Sequence, residues 1–171
     1  MAHSEEKYLP WATTGTVKHD IKLMVWGCFS AAGVGSLYRI ESNLEQFQYH
    51  RVIEEQLILS ATKLFNNRNW TFQQDNDPKH TAKSTKQLFN RLRVPIEDWP
   101  SQSPDLNPIE NLWSHLNWEL RDRKCSNLDQ LFEALQEGWN KLSVDYLTTL
   151  SDSMPSRLNA VIDNKGFPTK Y

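Results

Sequence analysis

The sequence predicts an α/β domain built on a mixed sheet. Two short runs, 21–30 (IKLMVWGCFS) and 36–41 (SLYRIE), flank the glycine-bearing turn 31–35 and read as a hairpin. Beyond them, strand-like runs alternate with amphipathic helices. The resulting order is strand–strand–helix–strand–helix–strand–helix. A hairpin contributes an antiparallel pair and the later alternation contributes parallel ones, so the sheet is expected to be mixed.

Each element has its own warrant. Residues 1–20 combine charge, Pro10 and Gly15 with little periodicity and read as an irregular N-terminal segment, which leaves 21–171 as the folded domain. The run 21–30 is too short for a typical helix, and its Val25, Trp26 and Phe29 favour a strand. From Leu44 to Phe65, Phe47, Ile53, Leu57, Ala61 and Leu64 recur at helical intervals, and NNRN (66–69) ends that helix. WTFQQD (70–75) is a third strand ending at Asp75. DPKH then turns the chain into a helix over 81–92 with Ala82, Thr85, Phe89 and Leu92 on one face. Residues 94–99 form a fourth strand, at an edge or a strand start because of Pro95.

The Pro- and Ser-rich run 100–108 is an ordered loop, since proline limits its freedom. Two amphipathic helices follow, over 108–121 and 128–142, carrying Leu112, Trp113 and Leu116, then Leu131, Leu135 and Trp139. The tail from Val144 holds a short helix, Pro155 and a last helical turn over 156–162.

A chain of 171 residues with 39% hydrophobic content and seven Trp suffices for one compact core and argues against disorder. No apolar run approaches membrane-spanning length. Cys28 and Cys125 stand isolated, with neither disulfide-framework nor metal-ligand spacing, which reads as intracellular. A net charge of −2 supplies no global field for nucleic acid. Cations do concentrate locally: Lys79, Lys83, Lys86, Arg91 and Arg93 fall in 78–96, a stretch without an acidic residue.

The candidate chemistry centres on Asp75 and Glu110, with 34 residues between them. A carboxylate at the end of a strand, followed by a sharp turn, is held rigidly and faces solvent, as a divalent metal ligand must be. The plain alternative for Asp75 is an Asx turn with Asn76 and Asp77. Asp77, preceding Pro78, reads as a turn former, and His80 as a cap for the helix after it. Asn107-Pro108-Ile109-Glu110 has the pattern of a capping box, which by itself explains Glu110. Lys79, Lys83, Lys86 and Arg93 recur at about helical spacing, as a phosphate-contacting stripe or as a solvated helix face. Trp26, Trp113 and Trp139 read as core, and Trp118 lies off the main stripe.

The strings QQDNDPKHTAK (73–83) and DWPSQSPDLNPIENLW (98–113) resemble the catalytic core of Tc1/mariner-type DNA transposases of the DDE superfamily. TVKHDIKLMVWGCFSAAGVGSLYRI (16–40) resembles that family's hairpin, and SDSMPSRLNAVIDNKGFPTKY (151–171) its C-terminal end. The resemblance implies an RNase H-like fold in which three carboxylates hold two metal ions, Mg²⁺ or Mn²⁺. Asp75 and Glu110 then stand as the second and third, catalytic and metal-binding. It implies DNA as partner, with Lys79, His80, Lys83 and Lys86 as nucleic-acid-binding residues, strand cleavage and transfer as the chemistry, DNA integration as its outcome, and the nucleus as its location.

The family's first Asp lies on a central strand that pairs with both the hairpin and the Asp75 strand. No run in the sequence matches that strand, nor the family's paired helix-turn-helix units. The chain therefore reads as a truncated catalytic domain with an incomplete sheet and little or no activity. Glu5, Glu6 and Asp20 are poor substitutes by pattern. The unpaired edges are expected to be filled by 7–16, to pair directly, or to recruit another copy. A non-catalytic nucleic-acid- or protein-binding module, or a relic, is the alternative function.

Overall fold

The computed structural model describes residues 1–10, 22–41, 44–66, 68–100 and 103–171, with the backbone alone for residues 2 and 4–10. Four strands form one sheet: β1 (Ala2–Pro10), β2 (Lys22–Ser30), β3 (Gly33–Ile40) and β4 (Phe72–Gln73), in the order β3-β2-β1-β4. β1 runs antiparallel to β2, with His3 opposite Phe29 and Pro10 opposite Lys22, and parallel to β4, with Ala2 opposite Phe72 and His3 opposite Gln73. The sheet is mixed, as expected.

Two expectations fail together here. The N-terminal segment is not irregular throughout, and a strand does occupy the central position thought to be missing. The reason is physical. β2 and β4 each present a row of N–H and C=O groups that must be satisfied. Backbone ladders satisfy them whatever the side chains are, so the polar run Ser4–Lys7 gives no periodic signal of its own. With both inner edges paired, the argument for self-association through them falls away. The filler is 2–10 and not 7–16. Thr13–Val17 and Asp20 lie outside the described residues.

Period-two alternation along β2 divides the core between the two faces of the sheet. Leu23, Val25 and Phe29 pack with α5 (Ile109–Leu120), α6 (Leu128–Lys141) and α7 (Val144–Asp152). Trp26 and Cys28 face the other way, with Tyr49, Val52, Ile53 and Leu57 of the long crossover and with Leu88 and Phe89. That crossover runs as α1 (Gln46–Val52), a π-helical turn (Ile53–Leu57) and α2 (Ile58–Phe65), ending at Asn66 in the left-handed region. Burial pushes the Cys28 thiol up to about 12, in keeping with a packing role.

The remaining differences are local. β4 shrinks to two residues, and the fourth strand becomes a parallel rail: Phe72 N–H donates to Pro95 O at 2.8 Å and Glu97 N–H to Phe72 O at 2.9 Å. Pro95 has no N–H with which to extend a ladder. The helix after DPKH divides into a single turn, α3 (Pro78–Thr81), and α4 (Lys83–Leu92). The last helical turn is a full helix, α8 (Met154–Asp163).

Candidate functional site

Asp75 follows β4 after one intervening residue, Gln74, beyond the C-terminal end of the strand that lies beside β1. Its Oδ1 accepts a hydrogen bond from the Asp77 N–H at 3.0 Å, which is the predicted Asx turn, and one from His80 Nδ1 at 2.5 Å. The turn and the anchoring of the carboxylate are therefore one structure. Burial on its own would raise the Asp75 carboxyl. The His80 hydrogen bond and charge, the Asp77 amide and Lys79 outweigh it and hold the group below the usual carboxylate range.

His80 is buried, its ring lying 4.3 Å from that of Tyr49, and the Tyr49 hydroxyl donates to Gln74 Oε1. The expected helix-capping role belongs instead to Asp77, whose side chain accepts from the Lys79 N–H at 3.0 Å. His80 is turned toward Asp75 because its ring is clamped from the opposite side by Tyr49. Lys79 Nζ pairs with Asp77 at 2.9 Å, while Lys83 and Lys86 are exposed on α4. A groove of roughly 570 Å³ runs along Asp75, His80, Lys86, Asn90, Glu97 and Trp99.

Glu110 sits in the first turn of α5, half-buried, and outside that groove's lining. The helix begins at Ile109, one residue later than predicted, after a 3₁₀ turn over Pro104–Leu106. Asn107, which the capping-box pattern assigns to the helix end, places its Oδ1 3.5 Å from Gln73 Nε2. That contact joins the strand leading into Asp75 to the turn leading into Glu110. Gln73 also meets the buried His3 of β1, so the three elements share one polar seam in the core. Among the described residues no three His, Cys, Asp or Glu side chains form a metal-holding group.

Sequence reasoning did not single out Tyr49, Gln73, His3 or Arg157. Tyr49 and Gln73 were visible only as members of a helix and of a motif string. Trp26, Trp113 and Trp139 are core as expected, and Trp118 is 60% exposed. No described helix is long and apolar enough to cross a membrane.

Residues 19–132 match the family described as DDE superfamily endonuclease. The chain is 48% identical over 157 residues to the Tcb2 transposase of Caenorhabditis briggsae, covering 91% of this chain and 57% of that protein. It is 44% identical over 166 residues to the Tc1 transposase of Caenorhabditis elegans, covering 96% and 60%. The chain thus spans somewhat more than half the length of these relatives. In structure it resembles the catalytic domain of Mos1 mariner transposase, with a TM-score of 0.86 and 16% identity over 99% of this chain and 83% of that one. That Mos1 domain has also been solved with Mn and with Mg, and Mos1 in a paired-end complex with the left transposon end. The fold is accordingly RNase H-like, and the sequence match over most of the length makes the chain a member of the DDE superfamily endonucleases, of the Tc1/mariner transposase type.

Proposed function

We propose that this chain carries the metal-holding lip of a DNA strand-cleaving and strand-transferring site, with Asp75 and Glu110 as its carboxylate ligands. The support around Asp75 carries the reading. Both of its hydrogen bonds fall on Oδ1, so the carboxylate is oriented, and among the described residues none falls on Oδ2. The lowered pKa keeps it ionised at neutral pH. An oriented, ionised, partly exposed oxygen donor fits Mg²⁺ or Mn²⁺, the ions with which the related Mos1 domain was solved. Held by Asp75 and Glu110, such ions would supply activation of the attacking hydroxyl and stabilisation of the leaving oxygen of a phosphodiester.

The protein's own contributions are separate from that chemistry. His80 holds the rotamer of Asp75, Tyr49 holds His80, and α5 brings Glu110 on a rigid first turn. Lys83 and Lys86 are the residues for the DNA backbone. This is the partner that Mos1 shows in its paired-end complex with the left transposon end; DNA transposition is the process we propose for the chain, with the nucleus as its place.

Two carboxylates neutralise and position two cations poorly, and this chemistry depends on positioning and electrostatics. Turnover by Asp75 and Glu110 alone is therefore expected to be small. The third-carboxylate position falls on β1. From the parallel pairing of His3 with Gln73, Glu5, two residues further along β1, is the candidate we propose for it. A second reading, a DNA-binding module without chemistry, is favoured by the exposed Lys83 and Lys86 on α4.

Mn²⁺-dependent nicking of supercoiled plasmid separates these readings. Nicking abolished by Asp75→Ala supports the proposed site, and its further loss in Glu5→Gln assigns the third ligand. Nicking that survives Asp75→Ala overturns the proposal. Retained DNA binding with no nicking in the wild type leaves the binding module.

A further inference from the structure

Arg157 is buried, with 2% exposure, yet it faces no carboxylate fork. Its guanidinium is spread over neutral acceptors. Nη1 donates to Asp105 O at 2.8 Å, Nη2 to Asn111 Oδ1 at 2.6 Å and Nε to Ser153 Oγ at 2.8 Å. The Tyr171 ring covers it at 4.8 Å, and the Thr169 N–H donates to the Asp105 carboxylate. Asp105 and Tyr171 attract its charge through space, but a buried cation whose hydrogen bonds all go to neutral acceptors is costly, so packing alone gives a poor account of an arginine here.

The partners suggest another account, because Asp105 and Asn111 bracket the segment that contains Glu110. One planar fork grips the 3₁₀ turn before α5 and the residue just after Glu110 at the same time. Glu110 N–H donates to Asn107 O at 3.2 Å within this bracket, and Asn107 in turn reaches Gln73 of β4. We propose that Arg157, held by the C-terminal tail, is a positioning residue that fixes Glu110 relative to the strand bearing Asp75. The inference rests on the reading of Glu110 as a metal ligand. It adds that the far C-terminal helix and tail set the geometry of the lip.

The chemistry makes a specific demand. A guanidinium reaches two acceptors in fixed directions, whereas an ammonium is a point charge on a flexible stem. Arg157→Lys keeps the charge and loses the bracket. Removing support behind a metal ligand typically costs 10–100-fold in metal affinity. Mn²⁺ uptake by the full chain, followed by calorimetry, is expected to weaken about 10-fold in Arg157→Lys. Leu147→Ala, a core truncation on α7, serves as the control for destabilisation alone and is expected to lower the melting temperature with Mn²⁺ affinity unchanged.

Should Arg157→Lys fail to fold, Asn111→Ala removes one arm of the bracket from the other side and is expected to weaken uptake in the same direction. Equal Mn²⁺ affinity in the wild type and in these variants overturns the clasp and leaves the proposed function standing. An equal loss in Leu147→Ala also overturns the clasp. A wild-type chain that takes up no Mn²⁺ overturns the proposed function itself and, with it, this role for Arg157.

Discussion

At the scale of single residues, close approach decides more than composition does. A Cβ added to Gly27 would lie 2.9 Å from the Trp113 ring and 3.1 Å from the Trp139 ring. Those two indoles are buried and stacked, with centroids 5.2 Å apart, so neither has room to withdraw. Trp139 is tethered further by its Nε1–H, which donates to Gly35 O at 3.0 Å. Gly27→Ala is therefore expected to destabilise the fold by about 1–3 kcal/mol, the usual cost of overpacking a filled core. Urea unfolding would measure it, and a midpoint equal to wild type would show that the indoles yield. The positions of Trp113 and Trp139 were legible as helical stripe residues. The need for glycine opposite them was not, because an apolar run does not reveal which of its members a neighbouring ring will overhang. The pairing of His80 with Asp75 was hidden in the same way, since the sequence gives their proximity along the chain but not the Tyr49 ring that selects the direction in which His80 points.

At the scale of elements, α4 is where charge and helix geometry can be separated. Thr85, Leu88 and Phe89 are buried, so the helix has one committed face, and Lys83 and Lys86 lie exposed away from it. Lys79, grouped with them by spacing, instead belongs to the α3 turn and pairs with Asp77. Of the four cations grouped by spacing, Lys83 and Lys86 are exposed on α4, Arg93 is its left-handed C-cap, and Lys79 belongs to a structural ion pair. If DNA runs along α4, reversing Lys83 and Lys86 to Glu should weaken binding. It should also lower the slope of log affinity against log salt by about 2, roughly one unit for each phosphate that is no longer neutralised. Titration of a labelled duplex at several salt concentrations would test this, and an unchanged slope would mark α4 as a merely solvated face. Helices with a clear apolar stripe, such as α5 and α6, were readable to within about one residue at each end. β4 was not, because its length is set by partners far away in the chain: two β1 residues on one side and the rail at Ile96 on the other.

At the scale of the whole molecule, the sheet is held together by a strand whose sequence does not announce it. β1 joins the hairpin to β4, and His3 is the described side chain at that junction. It is buried, lies 5.0 Å from the Phe29 ring and is hydrogen-bonded to Gln73. Burial lowers its pKa to about 4 from the ordinary 6.5; the Gln73 bond opposes this, while the N-terminal charge and Arg157 reinforce it. The sign of the consequence follows from proton counting. Between about pH 6.5 and pH 4 the unfolded chain binds a proton at this imidazole and the folded chain does not. Stability is therefore fully present above the upper limit and declines as pH falls through that window, by about 3 kcal/mol in all. His3→Gln, which keeps a polar partner for Gln73 but cannot titrate, should flatten that part of the profile relative to wild type. Carboxylates that titrate in the same range contribute equally to both proteins, so the difference between the two urea midpoints at pH 7 and pH 4.5 isolates His3. A difference that does not change with pH would mean that β1 is not seated against Gln73 in solution. The bridge between the hairpin and the strand leading to Asp75 would then be open, and the pairing of His3 with Gln73 would be lost with it.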